Sequence, residues 1–169
     1  MKAVPRGRWE GPLHVAVLTT GGTIEKTYDE TDGSLRNVRS VLARLRDELR
    51  PPDLRGTHIP VMNKDPLDMT PADRAEILAK VRDASSEQDA VVVIHGTDTL
   101  AVTGAHLYEN LSELPVPVVL TGAMRPFEFR DSDALQNVTE SLLAARLLPP
   151  GVYVVMHGRA LAFPGVEKH

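Results

Sequence analysis

The sequence has 169 residues, of which 42% are hydrophobic and 25% are charged, and its formal net charge is −4. These values are typical of one globular domain and argue against nucleic-acid binding, which needs a clustered positive surface. With no cysteine, disulfides, thiolate metal sites and a cysteine nucleophile are excluded. We find neither a stretch apolar enough to span a membrane nor the hydrophobic region of a signal peptide, and we therefore expect a cytoplasmic location.

The first half of the chain begins with a predicted strand over residues 13–18, which ends in a glycine-rich loop. Residues 25–37 are polar and rich in turn-forming residues, so we predict a flexible loop. Apolar residues recur at helical spacing over 38–49, and the prolines at 51 and 52 end this helix. A short strand is predicted over 57–62.

The next segments predict a helix followed by a central strand. Thr70 is a typical N-cap, and Pro71 occupies the first helical position, where its missing N–H costs nothing. The helix behind them directs Ile77, Leu78 and Val81 inward. Residues 90–94 form a continuous β-branched run, which is typical of a parallel strand buried on both faces.

The second half continues the alternation. It predicts a helix over 100–111, a buried strand over 116–120, a strand over 152–156 and a short strand over 159–163. A further helix, capped by Ser132 or Asp133, carries apolar residues at helical spacing: Leu135, Val138, Leu142 and Ala145. Alternating strands and helices predict an α/β fold, a Rossmann-like open, mostly parallel sheet with helices on both faces in a single domain.

Two hydroxyl-rich motifs follow predicted strands: Thr-Thr-Gly-Gly-Thr-Ile at 19–24 and His-Gly-Thr-Asp-Thr at 95–99. Since the carboxyl ends of parallel strands converge, the two motifs predict one site that holds two threonines beside an acidic residue. Gly21 and Gly96 would let the backbone approach a ligand. Taken singly, each motif is better explained as a strand-to-helix turn. The glycines do not match the dinucleotide-binding pattern, and the histidines lack metal-ligand spacing.

Five segments of the chain, in the same order as in the family, resemble the asparaginase family of bacterial amidohydrolases. They are Leu-Thr-Thr-Gly-Gly-Thr-Ile (18–24), Leu-Asp-Met-Thr-Pro (67–71), His-Gly-Thr-Asp-Thr (95–99), Gly-Ala-Met-Arg-Pro (122–126) and Gly-Val-Tyr-Val-Val-Met (151–156). The resemblance covers nearly the whole chain but only the N-terminal half of a typical member. The whole sequence, 1–169, is therefore expected to be one asparaginase N-terminal-like domain, without the family's C-terminal domain.

The resemblance implies a set of catalytic residues. Thr20 matches the nucleophilic threonine, Thr97 and Asp98 match the second threonine and its aspartate, and Lys168 falls on the catalytic lysine. Tyr28, the only tyrosine of the first loop, is the candidate for the tyrosine that activates the nucleophile. A threonine hydroxyl needs such help, because it is a weak nucleophile until a neighbour removes its proton.

Lys168 is the penultimate residue, and chain ends are usually mobile. A catalytic role therefore requires residues 163–169 to fold back over the second motif and bring the amine beside Asp98. The alternative is a frayed tail. The resemblance also implies that Ala123 offers a backbone carbonyl near the leaving amide.

The sequence departs from the family pattern at the substrate-binding serine and its neighbour, which correspond to Pro66 and Leu67. Pro66 offers neither a hydroxyl nor an N–H, so we expect Lys64 or an arginine to bind the substrate's α-carboxylate. Without a counterpart of the C-terminal domain, Asp98 and Asp65 are expected to hold the α-amino group.

These observations predict hydrolysis of L-asparagine to L-aspartate and ammonia. Thr20 would form an acyl-enzyme with help from Tyr28, and a water activated through Thr97 and Lys168 would release the product. No metal or organic cofactor is expected, and neither nucleic acid nor a membrane is an expected partner. L-Glutamine would be at most a weak substrate, and the chain would form a homodimer or larger homo-oligomer. Two alternatives stay open: a non-catalytic amino-acid-binding module, and an ammonia-releasing component of an amidotransferase.

Overall fold

The computed structural model of the protein describes residues 11–36, 43–44, 48–49 and 53–169. Its strands are β1 (Leu13–Gly21), β2 (Thr27–Asp29), β3 (Ser34–Arg36), β4 (Leu54–Lys64), β5 (Ala90–Ile94), β6 (Pro117–Thr121), β7 (Gly151–Met156) and β8 (Arg159–Ala162). Its helices are α1 (Pro71–Glu87), α2 (Leu100–Asn110) and α3 (Ala134–Leu147). The helix predicted over 38–49 falls largely outside the described residues.

Six strands form one sheet in the order β4-β1-β5-β6-β7-β8. All neighbouring pairs are parallel except β7 and β8. After β1 the chain adds β4 on one side and then β5 on the other. The sheet therefore reverses its winding direction between β1 and β5, and ligands of open α/β sheets bind at such a switch point.

The core lies on both faces of the sheet. Alternate residues of β1 and β5 point to opposite sides, so that Val15 and Val92 pack with α3 while Ala16 and Val91 pack with α1 and α2. All five residues of β5 are buried. The predicted α/β class, with a mostly parallel sheet covered on both faces, is confirmed.

Helix α1 begins where the sequence predicted. The Thr70 hydroxyl accepts a hydrogen bond from the N–H of Asp73 at 3.2 Å, and the Asp73 carboxylate accepts one from the N–H of Thr70 at 2.8 Å. This capping box satisfies two N–H groups that the first turn leaves without helical partners. Ile77 and Val81 of α1 are fully buried, as predicted.

No helix among the described residues has the length and apolarity needed to cross a lipid bilayer.

The structure corrects the prediction at four places. The polar segment over 25–37 contains the antiparallel pair β2 and β3, joined by a turn in which Asp29 and Asp32 accept local hydrogen bonds and Gly33 has a φ of 71°. β4 extends at both ends beyond the predicted strand, because it pairs along its length with β1. Leu135 is partly exposed rather than buried on α3. β1 continues to Gly21, beyond the predicted end of the strand.

Candidate active site

Three loops meet at the carboxyl edge of the sheet, beside the switch point. We call them the first loop (Gly21–Ile24, after β1), the second loop (His95–Thr99, after β5) and the third loop (Gly122–Pro126, after β6). A Cβ on Gly22 would overlap the backbone of Gly96, and one on Gly122 would overlap the carbonyl of His95. Glycine at these positions is what allows the three loops to touch.

The second loop carries a charged cluster. Nζ of Lys168 donates a hydrogen bond to the Thr97 hydroxyl at 3.1 Å and lies 2.6 Å from the Asp98 carboxylate. Thr97 is partly buried, and the side chains of Lys168 and Asp98 are about half exposed. A hydroxyl, an amine and a carboxylate in this order can move a proton away from the hydroxyl, since the carboxylate stabilises the ammonium that results.

The position of Lys168 is set by the segment before it. The Phe163 ring is buried and packs against Gly104 on α2, where a Cβ would overlap the ring. The N–H of Phe163 donates to the carbonyl of Val152 at 3.0 Å, and Val166 packs on the core cluster beneath α2. These contacts anchor residues 163–169 and lay them over the second loop, which is the path that a role for Lys168 required.

Thr20 lies inside the sheet, one residue before the end of β1. Its side chain is fully buried, and its hydroxyl donates to the carbonyl of Ile94 at 2.9 Å. In this arrangement the hydroxyl bridges β1 and β5 and is closed to a ligand. A role as nucleophile therefore requires Thr20 to break this hydrogen bond by a rotation of its side chain and to become accessible to a ligand.

Thr23 is a threonine of the first loop that sequence reasoning missed. It begins a short 3₁₀ turn directly after Gly21 and Gly22, which have φ angles of 100° and 90°. It is only partly buried, and its hydroxyl has no hydrogen-bond partner among the residues that the structure describes. The signal lay in the motif itself, because only this threonine follows both glycines and so stands beyond the end of the strand.

Tyr28 lies on β2, and its side chain is 56% exposed. Its backbone N–H donates to Glu128 at 3.0 Å. In the described part of the chain, its hydroxyl is not hydrogen-bonded to any threonine. The structure thus does not bring Tyr28 to Thr20, and contact with Thr20 or Thr23 would need a movement of the β2–β3 hairpin.

The residues after β4 line the other side of the first loop. Asp65 caps a short turn, with its carboxylate accepting from the N–H of Leu67 at 3.1 Å. Pro66 is buried against Gly96, where a Cβ would overlap its ring. The carbonyl of Pro66 accepts from the Thr99 hydroxyl at 2.9 Å. Pro66 therefore joins the β4 exit to the second loop by packing and offers no donor to a ligand.

Lys64, which we expected to bind the substrate's carboxylate, has another partner. Its ammonium lies 2.7 Å from Asp73 of the α1 capping box. The hydrogen bond from Lys64, reinforced by the N–H of Thr70, lowers the pKa of Asp73 to about 2. The backbone carbonyl of Lys64 also accepts from the N–H of Gly22 at 3.2 Å. Lys64 thus fixes the first loop to α1.

The third loop is held by Asp133, which the sequence offered as a helix cap but whose side chain makes no capping hydrogen bond, and by its partner His157. The Asp133 carboxylate accepts from the N–H groups of Met124 and Arg125, and it lies 2.6 Å from Nε2 of His157. Burial would raise the pKa of Asp133, but these hydrogen bonds outweigh it and the pKa is lowered. The loop is consequently clamped by an ionised carboxylate, and Ala123 lies within it with a buried side chain.

His95 anchors the second loop from below. The imidazole is fully buried, with Nδ1 2.8 Å from the carbonyl of Gly96 and Nε2 2.8 Å from the hydroxyl of Thr103 on α2. Burial lowers its pKa to about 4; the hydrogen bond to Gly96 opposes the shift and the charge of Arg74 adds to it. His95 is therefore a neutral structural residue near pH 7.

A cavity of about 490 Å³ opens beside Thr97 and Lys168. Met124, Met156 and His157 also line it. This volume is in the range of small-molecule sites. The site defined so far is that of an α/β protein in which a lysine–aspartate pair contacts a threonine at the switch point of the sheet.

Comparison with known proteins gives the family. Residues 14–169 match the family model described as Asparaginase, N-terminal. The L-asparaginase of Thermococcus kodakarensis is 33% identical over 156 residues, which are 92% of this chain and 48% of that protein. The chain belongs to the asparaginase family.

A second kind of relative has a similar identity. A glutamyl-tRNA(Gln) amidotransferase component of Thermoplasma acidophilum is 32% identical over 151 residues, covering 84% of this chain and 34% of that protein. The solved structure of the thermostable L-asparaginase from Thermococcus kodakarensis matches with a TM-score of 0.78 and 35% identity, over 85% of this chain and 44% of that one. The chain thus spans about half or less of the length of these relatives.

Proposed function

We propose that the protein hydrolyses the side-chain amide of L-asparagine to L-aspartate and ammonia. The observation that carries this proposal is the contact of Lys168 with both Thr97 and Asp98, at the switch point and beside a cavity of about 490 Å³. Membership of the asparaginase family supports the reaction class. The match to the T. kodakarensis enzyme, named an L-asparaginase, supports the choice of substrate.

The proposed reaction runs through an acyl-enzyme. A threonine oxygen of the first loop region attacks the amide carbon, the C–N bond breaks, and the amide nitrogen leaves as ammonia after taking a proton. Water then attacks the ester and frees the threonine. Lys168, in its neutral form, takes a proton from this water through Thr97, and Asp98 stabilises the ammonium produced.

Thr20 is the proposed nucleophile, because the resemblance of residues 18–24 to the family motif implies that role. Substrate binding would have to release its hydroxyl from the carbonyl of Ile94. The hydroxyl of Thr23 has no hydrogen-bond partner among the described residues, so Thr23 is the alternative nucleophile, which needs no such release.

The remaining predicted residues keep supporting roles in this proposal. Gly22 packs against Gly96 and brings the two loops close enough for one substrate to touch both, and Gly21, with a φ of 100°, makes the turn that leads into the first loop. Ala123 would direct its backbone carbonyl toward the leaving amide, held there by the clamp on the third loop. Tyr28 would join when the β2–β3 hairpin closes over the first loop on substrate binding.

A second candidate function is an ammonia-releasing component of an amidotransferase. The relatives named as glutamyl-tRNA(Gln) amidotransferase components support it, at an identity close to that of the asparaginase. Such a component would use the same residues on an amide and pass the ammonia to a partner protein.

Ammonia release by the purified chain, measured with L-asparagine and L-glutamine in parallel, separates these functions. Steady turnover of L-asparagine without any partner supports the asparaginase proposal. Turnover only when a partner is added supports the amidotransferase, and binding of L-asparagine without ammonia release supports a non-catalytic binding module. Thr97→Val, which removes only the hydroxyl, controls for contaminating amidases.

We also propose that the chain self-associates in the cytoplasm. Three leucines on α3 are exposed (Leu135, Leu143 and Leu147), and apolar surface of this kind commonly marks an interface. Closed symmetry favours a homodimer or a larger homo-oligomer. Light scattering at micromolar concentration should give at least twice the 18.5 kDa mass of the chain, and a monomer would contradict this proposal.

A further inference from the structure

A second lysine–aspartate pair lies at the same edge of the sheet. The ammonium of Lys26 is 3.1 Å from the Asp65 carboxylate. The backbone N–H of Lys26 donates to the carbonyl of Thr23 at 3.1 Å, so Lys26 lies one turn after that threonine. The pair therefore bridges the first loop and the β4 exit, one turn after Thr23.

Asp65 is held in place without help from Lys26. One carboxylate oxygen accepts from the N–H of Leu67, and its backbone carbonyl accepts from the N–H of Asp68 at 3.0 Å. The hydrogen bond from Leu67 lowers the pKa of Asp65 against the opposing effect of burial, and Lys26 lowers it further. The carboxylate is thus fixed and ionised, whereas the ammonium of Lys26 ends a flexible four-carbon stem.

Among the described residues, three lysines lie at this edge of the sheet, and each is paired with a different aspartate. Lys64 belongs to the α1 capping box, and Lys168 contacts the threonine and aspartate of the second loop. Lys26 has a partner, Asp65, that itself borders the first loop. The side chain of Lys26 is 28% exposed and that of Asp65 is 36% exposed, so solvent reaches both.

An amino acid is a zwitterion that can replace both halves of such a pair. Its α-carboxylate can take Asp65's place on the lysine, and its α-ammonium can take the lysine's place on Asp65. One ion pair is then exchanged for two without a change in net charge, and charge-assisted hydrogen bonds are among the strongest polar contacts. An amide that lacks either α-group can make only one of the two contacts.

On the basis of the proposed amidohydrolase function, we propose that Lys26 and Asp65 form the subsite that recognises the α-groups of the substrate. Lys26 binds the α-carboxylate and Asp65 binds the α-ammonium. The pair thereby supplies the contact that Pro66 cannot make, because proline has no donor. It restricts the substrate class to free α-amino acids with a side-chain amide.

The test compares L-asparagine with two amides that each lack one group. Succinamate lacks the α-ammonium, and 3-aminopropanamide lacks the α-carboxylate. The variants are Lys26→Met and Asp65→Asn, of which the second retains an oxygen that can cap the turn. Lys64→Met is the matched control on a neighbouring ion pair, and Lys26→Arg retains the charge and tests for rescue.

We expect Lys26→Met to raise the KM for L-asparagine at least about tenfold with kcat changed by less than about threefold, as for a lost charge-assisted contact. The kcat/KM for 3-aminopropanamide should not change, so the preference for L-asparagine over it falls by the same factor. Asp65→Asn should lower the preference for L-asparagine over succinamate in the same way. Lys64→Met should leave both preferences intact. Lys26→Arg should retain most of the preference for L-asparagine over 3-aminopropanamide.

The outcomes separate this subsite from the proposed function. If the wild-type chain hydrolyses L-asparagine and Lys26→Met keeps its KM and its preference, the subsite is overturned while the function stands. If the wild-type chain releases no ammonia, calorimetric titration with L-asparagine and L-aspartate decides. Binding that Lys26→Met abolishes supports the subsite alone, and binding that it leaves unchanged, or no binding by the wild type, overturns it.

Discussion

The first and second loops have similar sequences but present their threonines differently. Both follow buried strands and both combine threonine with glycine. In the second loop, β5 ends at Ile94, and Thr97 stands beyond it in contact with Lys168. Before the first loop, β1 continues to Gly21, and Thr20 is enclosed in the sheet with its hydroxyl bound to Ile94. The last residue of the strand decides whether a hydroxyl bonds within the sheet or faces a ligand.

The two loops are also held by different means. The first loop is fixed by a backbone contact with β4, through the carbonyl of Lys64. The second is fixed by a side chain, the buried imidazole of His95. Between pH 4.5 and 7.5 the anchor of the second loop should therefore respond to pH and that of the first should not. Each of the following experiments tests this contrast or the contrast between the threonines.

The largest effect is expected at Lys168. Lys168→Met removes the amine from Thr97 and Asp98 while keeping the length of the side chain. We expect kcat for L-asparagine hydrolysis to fall by a factor of at least about 100, as for loss of a general base. The control is Lys80→Met, because Lys80 is an exposed residue of α1. This variant should leave kcat unchanged. Retention of most activity by Lys168→Met would remove the second loop from the proposed mechanism.

Paired threonine variants test the contrast between the loops directly. Thr20→Val should abolish turnover and also lower the free energy of unfolding by about 1–3 kcal/mol, since it leaves the buried carbonyl of Ile94 without this donor. Thr23→Val should leave stability unchanged, because its hydroxyl has no partner in the described part of the chain. Ammonia release and urea denaturation measure the two effects. Loss of turnover in Thr23→Val together with activity in Thr20→Val would transfer the nucleophile to Thr23.

The pH dependence of stability tests the anchor of the second loop. The pKa of His95 is about 4 in the folded protein, against an ordinary value of 6.5, so the unfolded chain binds a proton more readily between these values. The contribution of His95 to stability is complete above pH 6.5 and decreases as the pH falls toward 4. At pH 5 it should be smaller by about 2 kcal/mol.

Urea denaturation of the wild type and of His95→Gln between pH 4.5 and 7.5 measures this contribution as the difference between the two pH profiles. The variant lacks the titrating group, so its profile should be flatter in this window. Parallel profiles would show that His95 is not a buried neutral anchor.

The smallest effect concerns the first loop. Lys64→Met should raise the pKa of Asp73 from about 2 toward its ordinary value of 3.8, because the hydrogen bond from Lys64 is the largest cause of the shift. The pKa should remain below 3.8, since the N–H of Thr70 still donates. An NMR titration of the Asp73 carboxyl group measures it, and an unchanged value would mean that the ion pair does not form in solution.

Local sequence determined most of the fold. The β-branched run of β5 and the Thr-Pro start of α1 have strong intrinsic preferences and were predicted at their observed positions. The hairpin of β2 and β3 was missed because its strands have three residues each and a polar composition, so no hydrophobic periodicity marks them. The exposure of Leu135 depends on which face of α3 meets the sheet at its first turn, and helical spacing alone does not specify this.

The candidate site was likewise determined partly by the sequence and partly by the tertiary structure. The sequence by itself predicted the two loops and, through the family resemblance, grouped Thr97, Asp98 and Lys168, which the structure places in contact. The tertiary structure decided that Thr20 lies within a strand and Thr23 beyond it, because strand length is set by pairing with β4 and β5. It also decided that Lys64 pairs with Asp73 of α1, that Lys26 borders the first loop, and that Asp133 clamps the third loop. These pairings join residues far apart in the chain, so only the packing of the loops at one edge of the sheet creates them.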